Sequence, residues 1–504
     1  MKSADYNNQL FKQVQELIDR CDSLSADMKR ERKEHKKEIN DLKAQHIKEI
    51  HELRAEHKKE ISELNQRVEK LEVENTKLKN DNDRLKKIIN NNSNNSSKPP
   101  SSDIKKNIPN NREKTNKKAG GQKGHTAHFL SKKSVEEKIS NKEIEHVLVT
   151  TDEPEKEYIS KYILDLDIKV IAKEYRFYKD EYGHYNIPQE FKTEVQYGSN
   201  LKTLCTVLNT EGIVALDRLT SFVRFISGGS INISKGTIVN FTKEFNRKSQ
   251  YLINQIKTDI LNSELLHTDA TTSRCENKNV CVRTHSTEKS TLLIPTYKKS
   301  KQCIEETGIL NNYTGNLVHD HETVMYNYGD KHVECNVHIS RYLRGNYENT
   351  QNKWSLKMRS FLCSLNEYRK SLKEKGVEKL EEGKLQKYSK RYDEIIEEGY
   401  LENKKTKGKY LKQEEKSLLN RFKKYKENHI MFLYDFSVPF DNNLSERDLR
   451  HIKSKEKISG HFNSFEGLEI YSNIKSIIGT LKKRGKEFYN LINDVFENIP
   501  VSIS

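Results

Sequence analysis

Three carboxylates in the sequence occupy positions that suit metal-assisted phosphoryl transfer. Asp269 and Asp320 each end a short apolar run, and Glu446 lies in the first turn of a predicted helix. In this chemistry two divalent ions activate the attacking oxygen and stabilise the leaving one, so carboxylates must converge from separate elements. Magnesium prefers hard oxygen ligands and takes only a few from protein. A lone Asp at a strand end is commonly a turn former, but the three together favour a catalytic metal site.

Basic side chains follow Glu446 on the same predicted helix. Arg447, Arg450 and Lys453 come next along the chain. Spacings of four and three residues place Arg450 and Lys453 on the side of Glu446. An Arg guanidinium offers a bidentate fork that suits a phosphate group. We expect these three basic residues to contact DNA beside the carboxylates, and the alternative is a solvated basic face.

Short apolar runs predict the elements that must position the carboxylates. The runs that end in Asp predict strands, and Ser445 or a neighbouring Asn is expected to cap the helix of Glu446. Two further runs, separated by short turns, predict a meander. The predicted strands cover 265–269, 279–284, 290–297, 315–320 and 333–337, with a helical stretch at 301–310.

The composition favours a polyanionic partner. Of the 504 residues, 90 are Lys or Arg and 74 are Asp or Glu, which gives a net charge of +16. Such an excess favours nucleic acid or an acidic membrane surface. No apolar run approaches the ~18 residues of a membrane span, which excludes a membrane-spanning protein. The seven cysteines form no Cys-x-x-Cys pair, so a reducing, cytoplasmic compartment is expected and no disulfide framework is indicated.

The first part of the chain, residues 1–90, predicts a dimeric coiled coil. From Leu10 to Ile89 there is neither Pro nor Gly. Leu fills the d positions of successive heptads, and β-branched residues or Asn fill the a positions, which favours a parallel two-stranded coil. We therefore expect a homodimer through residues 10–89, and the alternative is a long solvated helix. The d positions are Leu64, Leu71, Leu78 and Leu85, and the a positions are Ile61, Val68, Asn75, Asn82 and Ile89.

Residues 91–130 predict a low-complexity basic linker. An Asn/Ser tract at its start cannot bury enough apolar surface to fold. The Gly120-Gly-Gln-Lys-Gly-His125 motif could instead belong to an arm whose glycines let the backbone approach a phosphate chain closely. In that interpretation Gln122, Lys123 and His125 contact DNA. Composition alone favours the linker.

Two small regions are predicted between the linker and the first carboxylate. Alternating apolar residues at 162–171 and 174–178 predict a small β module over 131–198. Helical periodicity then predicts a helix-turn-helix-like DNA-binding region over 199–262. Within it, a turn leads into a helix capped by Ser234, as the second helix of such a motif begins. Many helical hairpins share this pattern.

Several stretches of the sequence resemble the bacterial DDE transposases of the insertion-sequence sixty-six family. The Lys-Pro-Pro-Ser-Ser-Asp and Asp-Asn-Asn-Leu-Ser-Glu-Arg motifs are specific in combination, and the similar stretches together cover most of the chain from 96 to about 495. They are Ser97-Lys-Pro-Pro-Ser-Ser-Asp103, Gly120-Gly-Gln-Lys-Gly-His125, His267-Thr-Asp269, Val318-His-Asp320, Cys335-Asn-Val-His338, Asp441-Asn-Asn-Leu-Ser-Glu446-Arg-Asp-Leu-Arg450 and Gly460-His-Phe-Asn-Ser-Phe-Glu-Gly467.

The resemblance implies an enzyme that cuts the ends of an insertion element and joins them to target DNA. It implies Asp269, Asp320 and Glu446 as ligands of two divalent ions, Mg²⁺ or Mn²⁺. The implied partners are the terminal repeats of the element, the target DNA and accessory proteins of the same element. A cytoplasmic bacterial protein that joins the nucleoid when it acts is the expectation.

The resemblance also implies an α/β fold with an RNase H-like catalytic domain, a mixed sheet flanked by helices. Its first part would occupy 263–340 and its second part, with the C-terminal helices, 437–504. The chain between them, 341–436, is expected to be a helical insertion. In the resembled family, cysteine pairs that look like a zinc-binding module usually follow the glycine-rich motif. This sequence has no cysteine between 126 and 204, so no zinc is expected there.

Two other functions fit the same residues. An RNase H-like nuclease would share the carboxylates but would not join strands. A non-catalytic coiled-coil DNA-binding protein would keep the domain organisation without the chemistry, although the complete set of Asp269, Asp320 and Glu446 argues against it.

Overall fold

The chain forms two compact units in the computed structural model. One unit comprises Met1–Asn90 with Lys407–Lys412, and the other comprises Asn91–Thr406 with Gln413–Ser504. The structure describes residues 2–92, 95–96, 131–149, 157, 159–189, 191 and 193–503.

The first unit is built on one long helix, α1, which spans Lys2–Asn90. Its length agrees with the absence of Pro and Gly from the predicted helix. The d-position leucines lie on its surface, and Leu64, Leu71 and Leu78 are 59%, 57% and 62% exposed. The helix is thus present, and the pairing of two such helices stays a prediction.

Residues 131–198 differ from the small β module that the sequence predicts. Within its described residues this region contains one helix, α2 (Lys132–Ser140), and one isolated antiparallel bridge between Lys179 and Tyr185. The apolar side chains of the alternating segment are exposed, with Ile163 at 91% and Leu166 at 87%. Alternation produces a sheet only where a neighbouring strand satisfies the backbone N–H and C=O groups.

Helices occupy the next region, as predicted for 199–262. They are α3 (Ser199–Thr210), α4 (Leu216–Ile226), α5 (Lys235–Lys248) and α6 (Gln250–Leu261). Ser234 caps α5 by accepting a hydrogen bond from the Thr237 N–H at 3.1 Å, as the sequence indicates. Residues 227–234 connect α4 to α5 through Gly228 and Gly229, both of which have positive φ.

A mixed five-stranded sheet follows, with the order β3-β2-β1-β4-β5. The first three strands form the predicted antiparallel meander, while β4 and β5 run parallel to β1. A tight turn at Glu276 and Asn277, both with positive φ, extends β1 and β2 beyond the predicted ends. The strands are β1 (Leu265–Cys275), β2 (Lys278–Ser286), β3 (Thr291–Thr296), β4 (Asn316–His319) and β5 (His332–Glu334), with helix α7 (Lys301–Glu306) between β3 and β4.

A helical insertion separates β5 from the last part of the chain. It contains α8 (Asn336–Thr350), α9 (Trp354–Lys373), α10 (Glu382–Lys405), α11 (Lys409–Lys424) and α12 (Lys426–Tyr434). The C-terminal helices are α13 (Asn443–Ser459), α14 (Phe465–Lys483) and α15 (Phe488–Phe496). None of the helices in the described part of the chain has the length and apolarity needed to cross a membrane.

The two faces of the sheet pack against different sets of helices. Leu266, Leu292 and Leu317 share a core with the helices of 199–262 and with α14 and α15. On the other face, Leu293 packs in a core with α13, and Val318 packs in the core of the insertion. Because both faces are covered, the strands alternate between two apolar environments.

A buried carboxylate organises the core of the insertion. Glu415 on α11 is 1% exposed and accepts hydrogen bonds from the side-chain N–H and O–H groups of five residues. Burial alone would raise the pKa of Glu415, but hydrogen bonds from Asn403 and Trp354 hold it below its usual value. The donors are Asn346, Asn352, Trp354, Asn403 and Thr406, at 2.7–3.0 Å.

Replacing Glu415 with Ala should destabilise the insertion by roughly 3 kcal/mol, because several buried donors lose their acceptor. Trp354 is the single tryptophan of the chain, so its fluorescence during urea unfolding reports on this region. Since the folded pKa of Glu415 lies below the unfolded one, its stabilisation is present at neutral pH and is lost as the pH falls. The parent should therefore lose more stability on acidification than the variant.

Glu367→Ala is the matched control, since this exposed glutamate on α9 pairs with Lys370 across one helical turn. Surface pairs of this kind contribute little. Equal urea midpoints for the parent and Glu415→Ala would show that Glu415 does not hold the insertion together.

Candidate active site

Asp269 lies in β1 just beyond its pairing with β4, and Asp320 directly follows β4. In the pairing of β1 with β4, His267 lies opposite Val318. Asp269 and Asp320 each follow two residues later, so they are level and on the same face. Neighbouring strands lie about 4.8 Å apart. The register of the sheet therefore brings these two carboxylates together.

Asn442 brings Glu446 to the same place. It is fully buried just before α13, and its Nδ2 donates to the Thr268 carbonyl at 2.9 Å. Its Oδ1 lies 2.9 Å from His267 Nδ1, and its backbone N–H donates to Cys335 Sγ at 3.3 Å. The first turn of α13, which holds Glu446, is thus fixed to β1 beside Asp269 and to the start of α8.

A second anchor holds α13 one turn further on. Asp448 Oδ2 accepts hydrogen bonds from Ser286 at 2.6 Å, from Thr291 at 2.8 Å and from Lys483 Nζ at 2.7 Å. These donors come from β2, β3 and α14. Because α13 is fixed at two points, the Glu446 side chain starts from a defined backbone position.

The pKa of Asp269 reflects the convergence of the three carboxylates. Burial raises it first, the negative charges of Asp320 and Glu446 raise it further, and the result is a pKa of about 7. A 2.7 Å hydrogen bond from the Ala270 N–H and the positive charge of Lys299 act in the opposite direction. The site therefore carries an excess of negative charge that favours bound cations.

The side chains of the site fit a hard divalent cation. Glu446 Oε1 is buried and has no hydrogen-bond partner among the described residues, so it keeps its lone pairs for another group. Carboxylate oxygens are the ligands that Mg²⁺ and Mn²⁺ prefer. Asp269, Asp320 and Glu446 could hold such ions together.

Two softer donors lie beside Glu446. The ligand atoms of Cys335, His338 and Glu446 lie within 4.8 Å of one another. Burial raises the pKa of the Cys335 thiol to about 12, and its sulfur already accepts the Asn442 N–H. Cys335 therefore acts as a neutral packing group that positions Asn442.

A buried Glu334 supports the chain around Asp320 from the side of the insertion. Its Oε1 accepts from Tyr326 at 2.5 Å and lies 2.8 Å from Nδ1 of His321, which directly follows Asp320 and has a φ of +62°. Its Oε2 accepts from Arg421 at 2.6 Å. Burial alone would raise the pKa of Glu334, but hydrogen bonds from His321 and His429 and the charge of Arg421 hold it well below its usual range.

The predicted basic residues have different surroundings. Arg447 and Arg450 are exposed on α13. Lys453 instead donates to the carbonyl of Thr272 on β1 and pairs with Glu456 at 3.1 Å. The other predicted contacts, Gln122, Lys123 and His125, lie outside the described residues, as does the motif that contains them.

Sequence reasoning missed the residues that position the carboxylates. It placed Glu446 correctly in the first turn of its helix, and of the two expected N-cap candidates the structure has the Asn, at Asn442, whereas Ser445 is already helical. The contacts of Asn442 with β1 and Cys335 were not predicted. A consecutive Asn pair after Asp441 was the available signal. Glu334 had a signal as well, since it is a lone charged residue in a short predicted strand.

A known protein family matches the part of the chain that contains the three carboxylates. A family model described as the transposase IS66 family matches residues 194–470, more than half of the 504 residues. That range includes Asp269, Asp320 and Glu446. A second model, described as a family of unknown function (DUF6444), matches residues 30–131. No curated protein matches the chain.

Removing one of the neighbouring carboxylates should lower the pKa of Asp269. Asp320→Asn removes the larger of the two charge effects, so Asp269 should titrate below pH 7 in that variant. The measurement is a pH titration of side-chain carboxyl ¹³C shifts in aspartate-labelled protein without added divalent ions, with Asp269→Asn to assign the signal. Asp330→Asn, an exposed carboxylate on the connection from β4 to β5, is the control and should leave the titration unchanged. If the Asp269 signal titrates identically in Asp320→Asn and in the parent, the charge of Asp320 does not act on Asp269, and the two side chains do not lie close together.

Proposed function

The chain belongs to the IS66 family of transposases, and we propose that it cuts the ends of an insertion element and joins them to target DNA. The observation that carries this proposal is the convergence of Asp269, Asp320 and Glu446, which the raised pKa of Asp269 reflects. Three carboxylates from two strands and a helix are the arrangement that metal-assisted phosphoryl transfer needs.

The proposed cofactors are two divalent ions, Mg²⁺ or Mn²⁺, held by these three side chains. When bound, such ions supply activation of the attacking oxygen and stabilisation of the leaving oxygen of a phosphodiester. The residues of the chain provide the geometry: Asn442 and Asp448 fix α13, and Glu334 fixes the turn after Asp320. The raised pKa of Asp269, which burial and the charges of Asp320 and Glu446 produce, supports this assignment.

We extend the proposal to the fold class and the domain limits. An RNase H-like catalytic domain would comprise 263–340 and 437–504, interrupted by the helical insertion at 341–436. Support comes from the mixed sheet with helices on both faces and from the position of the insertion between β5 and α13.

DNA is the proposed substrate, and two basic surfaces are proposed to contact it. Arg447 and Arg450 are exposed on the helix that carries Glu446, so they are available to phosphates that enter the site. The second surface is the exposed side of α5 in the helix-turn-helix-like region, which presents Asn240, Lys243 and Arg247. Terminal repeats and target DNA would meet these surfaces on the nucleoid, in the cytoplasm.

A homodimer through α1 completes the proposal. The apolar seam residues of α1 are more than 45% exposed, including Ile61, Val68 and Leu85. A second copy would bury them, and the Asn residues at a positions would set the register. Two chains would bring together two element ends. Accessory proteins of the same element remain candidates as further partners.

Experiments can distinguish the proposed transposase from two rival functions. A nuclease without joining activity would release cut ends but give no strand-transfer product with a matched terminal repeat. A non-catalytic DNA-binding protein would bind the same repeat and cut nothing. Inverted repeats flanking the coding DNA would favour the transposase over both.

Asp269→Asn, Asp320→Asn and Glu446→Gln should each abolish cleavage of a terminal-repeat duplex in Mg²⁺ or Mn²⁺ while leaving DNA binding within about twofold of the parent. Neutral amides hold divalent ions poorly. The assays are denaturing gel electrophoresis of end-labelled DNA and fluorescence anisotropy. Asp330→Asn, outside the carboxylate set, should cut like the parent. Full activity in any one of the three variants would remove that residue from the site.

Replacing Leu71 and Leu78 together with Asn should convert the full-length dimer to a monomer in sedimentation velocity. Both are d positions, where Asn would remove the apolar contact between the two helices and bury a polar amide in its place. Both effects weaken dimerisation. Val73→Asn is the matched control, since Val73 is an exposed apolar residue of the same helix outside the a and d positions. It should stay dimeric. A double variant that sediments like the parent would place self-association elsewhere in the chain.

A further inference from the structure

Two buried polar atoms face each other next to the carboxylate set. His338 Nδ1 lies 3.7 Å from Glu446 Oε1. Both atoms are buried, and neither has a hydrogen-bond partner among the described residues. Buried polar atoms are nearly always satisfied in native proteins. The pair therefore indicates an interaction that the site completes when it is in use.

The other side of the imidazole ring decides which atom carries the proton. Arg341 Nη1 lies 3.2 Å from His338 Nε2. A guanidinium N–H can only donate, so Nε2 must accept with its lone pair. A ring whose Nε2 accepts carries its proton on Nδ1. The Nδ1–H group then points to the buried oxygen of Glu446.

The backbone fixes this arrangement from both ends. His338 lies in the first turn of α8, three residues after Cys335, the residue that accepts the Asn442 N–H. Asn442 in turn precedes the first turn of α13, which carries Glu446. The same hydrogen bond therefore holds the helix of the histidine and the helix of the glutamate at a constant separation.

We propose that His338 is the positioning residue of Glu446: its Nδ1–H donates to Glu446 Oε1 and so turns Oε2 toward the metal ions. The inference rests on the proposed function, because it concerns the use of Glu446 as a ligand. The present 3.7 Å is about 0.5 Å beyond hydrogen-bond range, and a small side-chain rotation closes it. Nδ1 could bind a metal ion directly only with a free lone pair. In the tautomer that the Arg341 contact favours, Nδ1 carries the proton and the lone pair is on Nε2.

The expected size of the effect follows from other metal sites. Hydrogen-bond partners that orient a ligating side chain change metal affinity or activity by about 10–100-fold when they are removed. Without the donor, the Glu446 carboxylate can rotate and present either oxygen, so it no longer has one fixed orientation toward the metal ions. The ring itself contributes no ligand atom in this arrangement.

The test compares two amides that place an N–H at different points. The Asn amide nitrogen takes approximately the position of Nδ1, whereas the Gln amide nitrogen takes that of Nε2. His338→Asn should therefore keep Mn²⁺ affinity within about threefold of the parent, and His338→Gln and His338→Leu should weaken it by about 10–100-fold. Mn²⁺ affinity is measured on the full chain by electron paramagnetic resonance titration, independently of cleavage.

Arg341→Ala tests the tautomer. It should weaken Mn²⁺ binding by a smaller factor, because the ring is then free to place its proton on either nitrogen. Arg344→Ala is the matched control on the same helix, where Arg344 pairs with exposed Glu348 across one turn. It should bind Mn²⁺ like the parent. Circular dichroism and Trp354 fluorescence verify that each variant is folded.

Three outcomes would overturn the inference while the proposed function stands. One is parent-like Mn²⁺ affinity in both His338→Leu and His338→Gln. Another is equal loss in His338→Asn and His338→Gln, which would indicate that the ring acts by packing. The third is ¹⁴N coupling from His338 to bound Mn²⁺ in pulsed spectra, which would make it a ligand. If Glu446→Gln binds Mn²⁺ as tightly as the parent, the proposed function itself fails, and the inference fails with it.

Discussion

The electrostatic repulsion among Asp269, Asp320 and Glu446 is the constraint on which the rest of the structure depends. The surrounding contacts must hold these three side chains together against it. Burial, together with the charges of Asp320 and Glu446, raises the pKa of Asp269 to about 7. Nothing in the mutual interaction of three carboxylates favours this arrangement. The geometry must therefore come from other contacts nearby, and Asn442 supplies the most direct one because this single buried residue joins β1, α8 and α13.

The helical insertion takes part in this support although it lies far from the sheet in sequence. Arg421 on α11 donates to Glu334 at the end of β5, and Glu334 lies 2.8 Å from the His321 ring directly after Asp320. The insertion is held together in turn by Glu415 and its donors. A change in the packing of the insertion can therefore reach the carboxylates through Glu334 and its two partners from the insertion, Arg421 and His429. This makes the insertion part of the site and not an appendage to it.

Features of the fold and the site could be predicted from the sequence where they depend on residues that are close together along the chain. The strands that carry or precede Asp269 and Asp320 and the helix turn of Glu446 follow from short apolar runs and a turn sequence, although β1 continues past its predicted end to Cys275. The role of Asn442 could not be predicted, because its partners lie 174 and 107 residues away along the chain. The β module over 131–198 was predicted from alternation, but alternation says nothing about where a pairing strand comes from.

The carboxyl group of Asp269 has one more consequence, which concerns the order of events as the protein matures. With its pKa raised to about 7, this group holds its proton to a much higher pH than an ordinary aspartate does. A proton can therefore serve as the counter-charge while the strands and α13 assemble. A cation that later binds there displaces that proton, so occupation of the site releases acid and becomes weaker as the pH falls. Folding around the three carboxylates would then not require a cation to be bound first.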